Sequence, residues 1–144
     1  MNDTYAESRT NLLASCSWKN DGDDGPHLMA TVRIFRRAGD LDVEELALNA
    51  LRKARDEAEK RASEDPEYYQ PPADLPGLGD GAYLTLDPVS MAIEVKTRSE
   101  NALVTTTLWL TGVSTYDTER RREVLRAQQS NIIAATRDVL DDLR

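Results

Sequence analysis

The sequence predicts an α+β fold: an antiparallel sheet of about five strands with two long helices packed against it, in the order strand, strand, helix, strand, strand, strand, helix. Apolar and polar residues alternate in short runs, as a strand with one buried face requires. Two longer runs change to steps of three and four residues, the spacing of an amphipathic helix. The strands fall into hairpin-like groups rather than regular strand–helix–strand units, which favours antiparallel pairing. With 144 residues, 40% of them hydrophobic, the chain is long enough to bury one core without covalent staples.

Residues 1–10 are polar and lack periodicity, so they are expected to form a flexible tail before a single domain at 11–144. In the first strand, Asn11–Lys19, the residues Leu12, Ala14, Cys16 and Trp18 share one face, which places Cys16 inward beside Trp18. Asn20–Pro26 is dense in turn formers, because Asp and Asn bond their own backbone and Gly accepts positive φ. The second strand, His27–Arg37, sets Leu28, Ala30, Val32 and Ile34 against Met29, Thr31, Arg33 and Phe35.

Leu41–Glu64 reads as a long helix, with Val43, Leu46, Ala47, Ala50, Leu51, Ala54 and Ala58 as its buried stripe. Asp42 can cap it, and Glu44 and Glu45 suit the positive end of its dipole. The alanines late in the stripe are expected to let those turns lie close against a neighbour. Arg52, Lys53, Arg55, Asp56, Glu57, Glu59, Lys60 and Arg61 form a mixed-charge solvated face.

Asp65–Gly81 is irregular, since Pro66, Pro71, Pro72 and Pro76 prevent a regular helix; Tyr68 and Tyr69 are available for packing. Strands follow at Ala82–Leu86, Met91–Arg98 and Ala102–Leu110, the last two joined by the tight turn Ser99–Asn101. Thr118–Leu143 closes the chain as a second long helix, with Val124, Leu125, Gln128, Ile132, Ala135, Val139 and Leu143 near one stripe.

Charge and residue inventory narrow the function. The 26 acidic and 18 basic residues give a net charge of -8, which repels phosphate backbones and anionic membranes, so nucleic acid is not an expected partner. No run approaches the roughly 20 apolar residues of a membrane span, and Met1–Thr10 has neither the basic start nor the apolar centre of a signal peptide.

His27 is the sole histidine and Cys16 the sole cysteine, too few for a typical zinc site. No serine or cysteine arrangement lies near His27 in sequence, so it reads as an exposed structural residue rather than a catalytic base. The spacing of Asp21, Asp23 and Asp24 misses the calcium-loop pattern and reads as a solvated turn. No cofactor is expected.

Gly77-Leu78-Gly79-Asp80-Gly81-Ala82-Tyr83 precedes a strand, whereas a phosphate loop follows a strand and opens a helix. Gly77 and Gly79 are therefore assigned to a turn that needs positive φ and close backbone approach. Arg120, Arg121 and Arg122, with Arg126, read as a solvated cluster at a helix start, unfavourably placed for its dipole. Trp18 is assigned to the core. Trp109 has opposite parity to Leu108 and Leu110, and if exposed near Tyr116 it would mark a contact surface.

Cys16-Ser17-Trp18 in an early strand, the Gly77–Tyr83 motif entering a later one, the turn Arg98–Val104 and the closing amphipathic helix together resemble a family of exported actinobacterial lipoproteins of unknown function. The resemblance spans roughly Leu12 to Leu143, and in outline such proteins are similar to the PsbP-like α/β sandwich. It implies a non-enzymatic domain of the cell envelope, outside the cytoplasm, and supplies no catalytic residues. Members begin with a signal peptide ending in a lipidated cysteine and often carry an upstream cysteine to pair with the one before Trp. By that likeness Cys16 is half of a disulfide whose other half this chain lacks, and membrane contact would come only through an anchor outside it.

The expected function is thus a binding or protein-interaction module, with a protein as partner. The contact candidates are Trp109, Tyr68, Tyr69, Tyr116, Arg120 and Arg121; Cys16, Trp18, Gly77 and Gly79 are structural. The alternative is an intracellular acidic adaptor or chaperone-like α+β protein. An enzyme would require Asp80, Glu94 or His27 to converge on one pocket.

Overall fold

The computed structural model describes residues 2–7, 11–19, 26–36 and 42–143, and within the first two of these segments it describes the side chains of Cys16 and Ser17 alone. Of the turn assigned to Asn20–Pro26, residues 20–25 with the acidic side chains lie outside the described residues, as does the side chain of Trp18.

The fold is α+β. Its strands are β1 (Asn2–Glu7), β2 (Asn11–Lys19), β3 (His27–Phe35), β4 (Ala73–Asp74), β5 (Ala82–Asp87), β6 (Ala92–Ser99) and β7 (Ala102–Trp109). Its helices are α1 (Val43–Glu64), α2 (Thr118–Arg126) and α3 (Gln129–Asp142). Among the described residues the strands form one sheet in the order β1-β2-β3-β7-β6-β5-β4, every neighbouring pair antiparallel. The pairing of β3 with β7 joins an N-terminal meander to a C-terminal one.

Two strands go beyond the sequence-based expectation. Residues 2–7, expected to be part of a flexible tail, run antiparallel to β2 as an edge strand. The irregular 65–81 segment contains β4, whose two residues pair with Leu84 and Tyr83.

The helices occupy opposite faces of the sheet. On one face Leu84, Ile93, Val95, Val104 and Leu108 pack with Leu125 of α2 and with Ile132 and Leu140 of α3. On the other, Phe35, Tyr83 and Leu103 pack with Ala47 and Leu51 of α1. The central strands can be apolar on both faces because each face has its own cover.

Local chemistry sets the helix ends. The Asp42 carboxylate accepts from the Glu44 amide at 3.0 Å, and the Asp117 carboxylate accepts from the Arg120 amide at 3.1 Å, satisfying donors that have no partner within the helix. The single closing helix expected over Thr118–Leu143 is divided at Ala127–Gln128, where the Gln128 amide donates to Leu125 rather than one residue further back. The local tightening resets the stripe, so Leu125, Ile132, Thr136 and Leu140 are buried while Leu143 is exposed.

The glycine motif is a clasp. Asp80 donates its amide to the Arg98 carbonyl at 2.7 Å and accepts the Glu100 amide on its carboxylate at 2.8 Å, pinning the β6–β7 turn. Thr97 Oγ1, fully buried, lies 3.1 Å from the Leu78 carbonyl and 2.9 Å from that of Gly81. Gly79 has φ +58° and faces Thr97 Oγ1 and the Arg98 carbonyl so closely that a Cβ would lie 2.5 Å from that carbonyl oxygen. Gly77 has φ +78° with open space around it.

Candidate binding groove

Helix α1 leaves part of its sheet face uncovered. Across β5, β6, β7 and β3 that face carries the rows Tyr83–Lys96–Thr105–Thr31 and Thr85–Glu94–Thr107–Met29. Between the second half of α1 and these rows lies a groove of about 370 Å³, with Ala54, Glu57, Ala58 and Arg61 on the helix side. Tyr83, Thr85, Asp87, Glu94 and Lys96 line the sheet side, and Tyr69 and Gln70 of the 65–81 segment also line the groove. The alanines expected to bring α1 close to a neighbour instead stand at this groove: Ala54 and Ala58 are half-buried, and their short side chains leave the space a larger residue would fill.

Most groove charges are held in place. The Arg61 guanidinium lies 3.8 Å above the centre of the Tyr69 ring, is 2.7 Å from Tyr69 Oη, and pairs with Asp87 at 3.6 Å. Lys96 donates to Thr105 Oγ1 at 3.1 Å and pairs with Glu94 at 3.6 Å. Tyr83 is 2% exposed. Its burial, and then the negative charge of Glu94 and Glu57, raise its phenol above the usual tyrosine range, so it carries its proton at neutral pH.

The residues singled out in the sequence do not gather at one place. Tyr69 borders the groove, and Tyr68 stands beside it edge-on, ring centres 6.5 Å apart. Trp109 is half-buried at the end of β7, its ring 5.3 Å from His27. Tyr116 is 90% exposed, with the Arg121 guanidinium 5.4 Å from its ring centre. Cys16 lies opposite Ala30 in the β2–β3 pairing but is only half-buried, because α3 packs on β6 and β7 rather than on β2.

Two readings of charged and polar residues change. His27 is half-buried rather than exposed, and its Nε2 lies 2.8 Å from Ser17 Oγ, a serine–histidine contact that sequence separation concealed. Neither residue lines the groove, and Asp80 and Glu94 stand elsewhere, in the clasp and in the groove. The arginine cluster is not uniformly solvated. Arg120 is exposed, but Arg121 donates to the Thr115 and Pro88 carbonyls at 2.7 and 2.9 Å. Arg122 is buried, donating to the Glu67 carbonyl at 2.6 Å and to Glu119 at 2.9 Å. Glu119 also accepts from Arg126, so the adjacent carboxylate offsets the charges at the helix start.

The groove residues Glu57, Arg61, Tyr83 and Lys96 were not among the sequence-based site candidates. The available signal was parity: Tyr83 and Lys96 lie on the strand faces opposite Leu84 and Val95, beneath a helix whose stripe shrinks to alanine.

A second hollow of about 270 Å³ lies between α3 and the other sheet face, among Leu28, Ala30, Thr106, Ala135 and Val139, with Asp138 and Asp142. The Thr106 hydroxyl there is buried without a hydrogen-bond partner. Among the described residues, no group of acidic, histidine or cysteine side chains is placed to hold a metal, and no helix is long and apolar enough to cross a membrane. Comparison with protein-family models, curated proteins and solved structures returns no match for this chain.

Proposed function

We propose that this protein is a non-enzymatic binding module and that the groove between α1 and the sheet is its binding site. The observation that carries the reading is the groove itself: a polar recess whose charged side chains are held by ion pairs, hydrogen bonds and an aromatic ring. Such fixed groups recognise a ligand with little ordering cost. The one serine–histidine contact lies outside this recess, so the geometry favours recognition over nucleophilic catalysis. The resemblance to exported lipoproteins adds the proposal that binding takes place outside the cytoplasm and that the natural partner is a protein.

Titration of the labelled protein with a panel of small polar fragments, followed by amide chemical shifts, tests this reading. Binding fragments are expected to move signals from residues 54–61, 83–87 and 94–96 together. Absence of such shifts across the panel, or hydrolysis of a generic ester abolished by Ser17→Ala or His27→Ala, would overturn it.

A further inference from the structure

The groove contains three carboxylates, Glu57, Asp87 and Glu94, against the two cations Arg61 and Lys96. Each cation already faces an acid: Arg61 pairs with Asp87 and lies on Tyr69, while Lys96 pairs with Glu94. Glu57 is exposed on α1 and takes part in neither pair. A second feature offers a polar contact beside Glu57. Tyr83 lines the groove with only 2% of its surface exposed, and no hydrogen bond joins its hydroxyl to any described protein group, so that hydroxyl is available to a ligand.

Building on the groove reading above, we propose that the groove receives the ammonium or guanidinium head of an organic cation, held by the Glu57 carboxylate and the Tyr83 hydroxyl, with its aliphatic stem along Ala54 and Ala58. An anion would have to draw Arg61 or Lys96 away from a carboxylate and then face Glu57. The negative field is already felt by the Tyr83 phenol, on which Glu94 and Glu57 act in the same direction as burial. A net charge of -8 steers cations toward the molecule. A metal ion is disfavoured, since no suitable ligand cluster is present among the described residues. The volume of about 370 Å³ suits a small ligand or a single long side chain.

Calorimetry and amide-shift titrations with agmatine, with an acetylated and amidated Gly-Arg-Gly peptide, and with glutarate test the proposal. Agmatine or the peptide is expected to move the groove signals while glutarate does not. Glu57→Gln, a change at an exposed helix position, is expected to weaken binding by about tenfold or more, and Tyr83→Phe by roughly two- to tenfold. The amide spectrum of each variant verifies its fold. Tighter binding of the peptide identifies a protein side chain as the source of the cation; tighter or equal binding of agmatine identifies a free amine. Either result supports the proposal. Equal affinity in wild type and Glu57→Gln, or groove shifts with glutarate alone, would overturn the cation assignment while leaving the groove as a binding site. No groove shift with any of the three probes would also overturn it, and the broader fragment panel then decides independently whether the groove binds anything.

Discussion

Gly79, in the β6–β7 clasp, has no room for a side chain. Alanine there would combine a left-handed φ with backbone overlap at the Arg98 carbonyl, whereas at Gly77 it would meet the φ cost alone. Gly79→Ala is therefore expected to lose more than about 1–2 kcal/mol of stability and Gly77→Ala less, as read by urea denaturation. Thr106 makes the opposite point. Its hydroxyl is buried and unpartnered, so Thr106→Val removes a desolvated polar group while keeping the branched shape of the side chain. That variant is expected to match or exceed wild-type stability by up to about 1 kcal/mol, and a fall in its midpoint would show that the hydroxyl has a role in the native state.

Element packing depends on residues 65–72, which bond to helices on both sides of the sheet. Tyr69 meets Arg61 of α1, while the Glu67 carbonyl and the Gln70 side chain accept from Arg122 and Arg126 of α2. Arg122→Met retains the aliphatic stem but loses these bonds, at an expected cost of about 1–3 kcal/mol measured by denaturant titration. The same cluster adds acid sensitivity. Arg122 first, and then Arg126, hold the Glu119 carboxyl below its ordinary range by hydrogen bonding. A carboxyl depressed in the folded state contributes stability above its unfolded pKa and loses it as pH falls through the folded value. Glu119→Gln should therefore flatten the acid limb of a stability–pH profile, and an unchanged slope would refute this role.

Over the whole molecule, the two faces of the sheet are specialised. The α2–α3 face is the main apolar core; the α1 face is apolar beneath the helix and polar where the helix leaves it uncovered. Tyr83 stands at that border, and its raised phenol pKa ties folding to alkaline pH. The folded state holds the proton more tightly than the unfolded chain, so this contribution is intact below the ordinary value of 10.0 and declines as pH rises beyond it. The Tyr83→Phe protein is expected to show a shallower alkaline loss of stability in thermal melts across that range. Equal slopes would mean that the phenol does not remain protonated inside the folded protein.

Fold class, strand faces and helix starts were legible in the sequence because they follow from local rules. Alternation fixes which side chains share a strand face, and Asp42 caps its helix through an amide only two residues away. The turn role of the glycine motif was likewise readable from Gly77 and Gly79 preceding a strand. The groove was not. Its residues come from α1, the 65–81 segment, β5 and β6, and pairing Tyr83 with Lys96 and Thr85 with Glu94 depends on long-range strand register. The Ser17–His27 contact and the burial of Arg122 depend in the same way on chain segments that meet only after folding. Sequence alone determined the segments of β2, β3, β5, β6, β7 and α1, since those rest on periodicity and near-neighbour hydrogen bonds, whereas β1, β4 and the division between α2 and α3 emerged only in the fold. Tertiary structure alone decided which sheet face stayed partly open and which groove carboxylate is left out of the ion pairs described there, because both depend on how far a helix covers a surface built from distant strands.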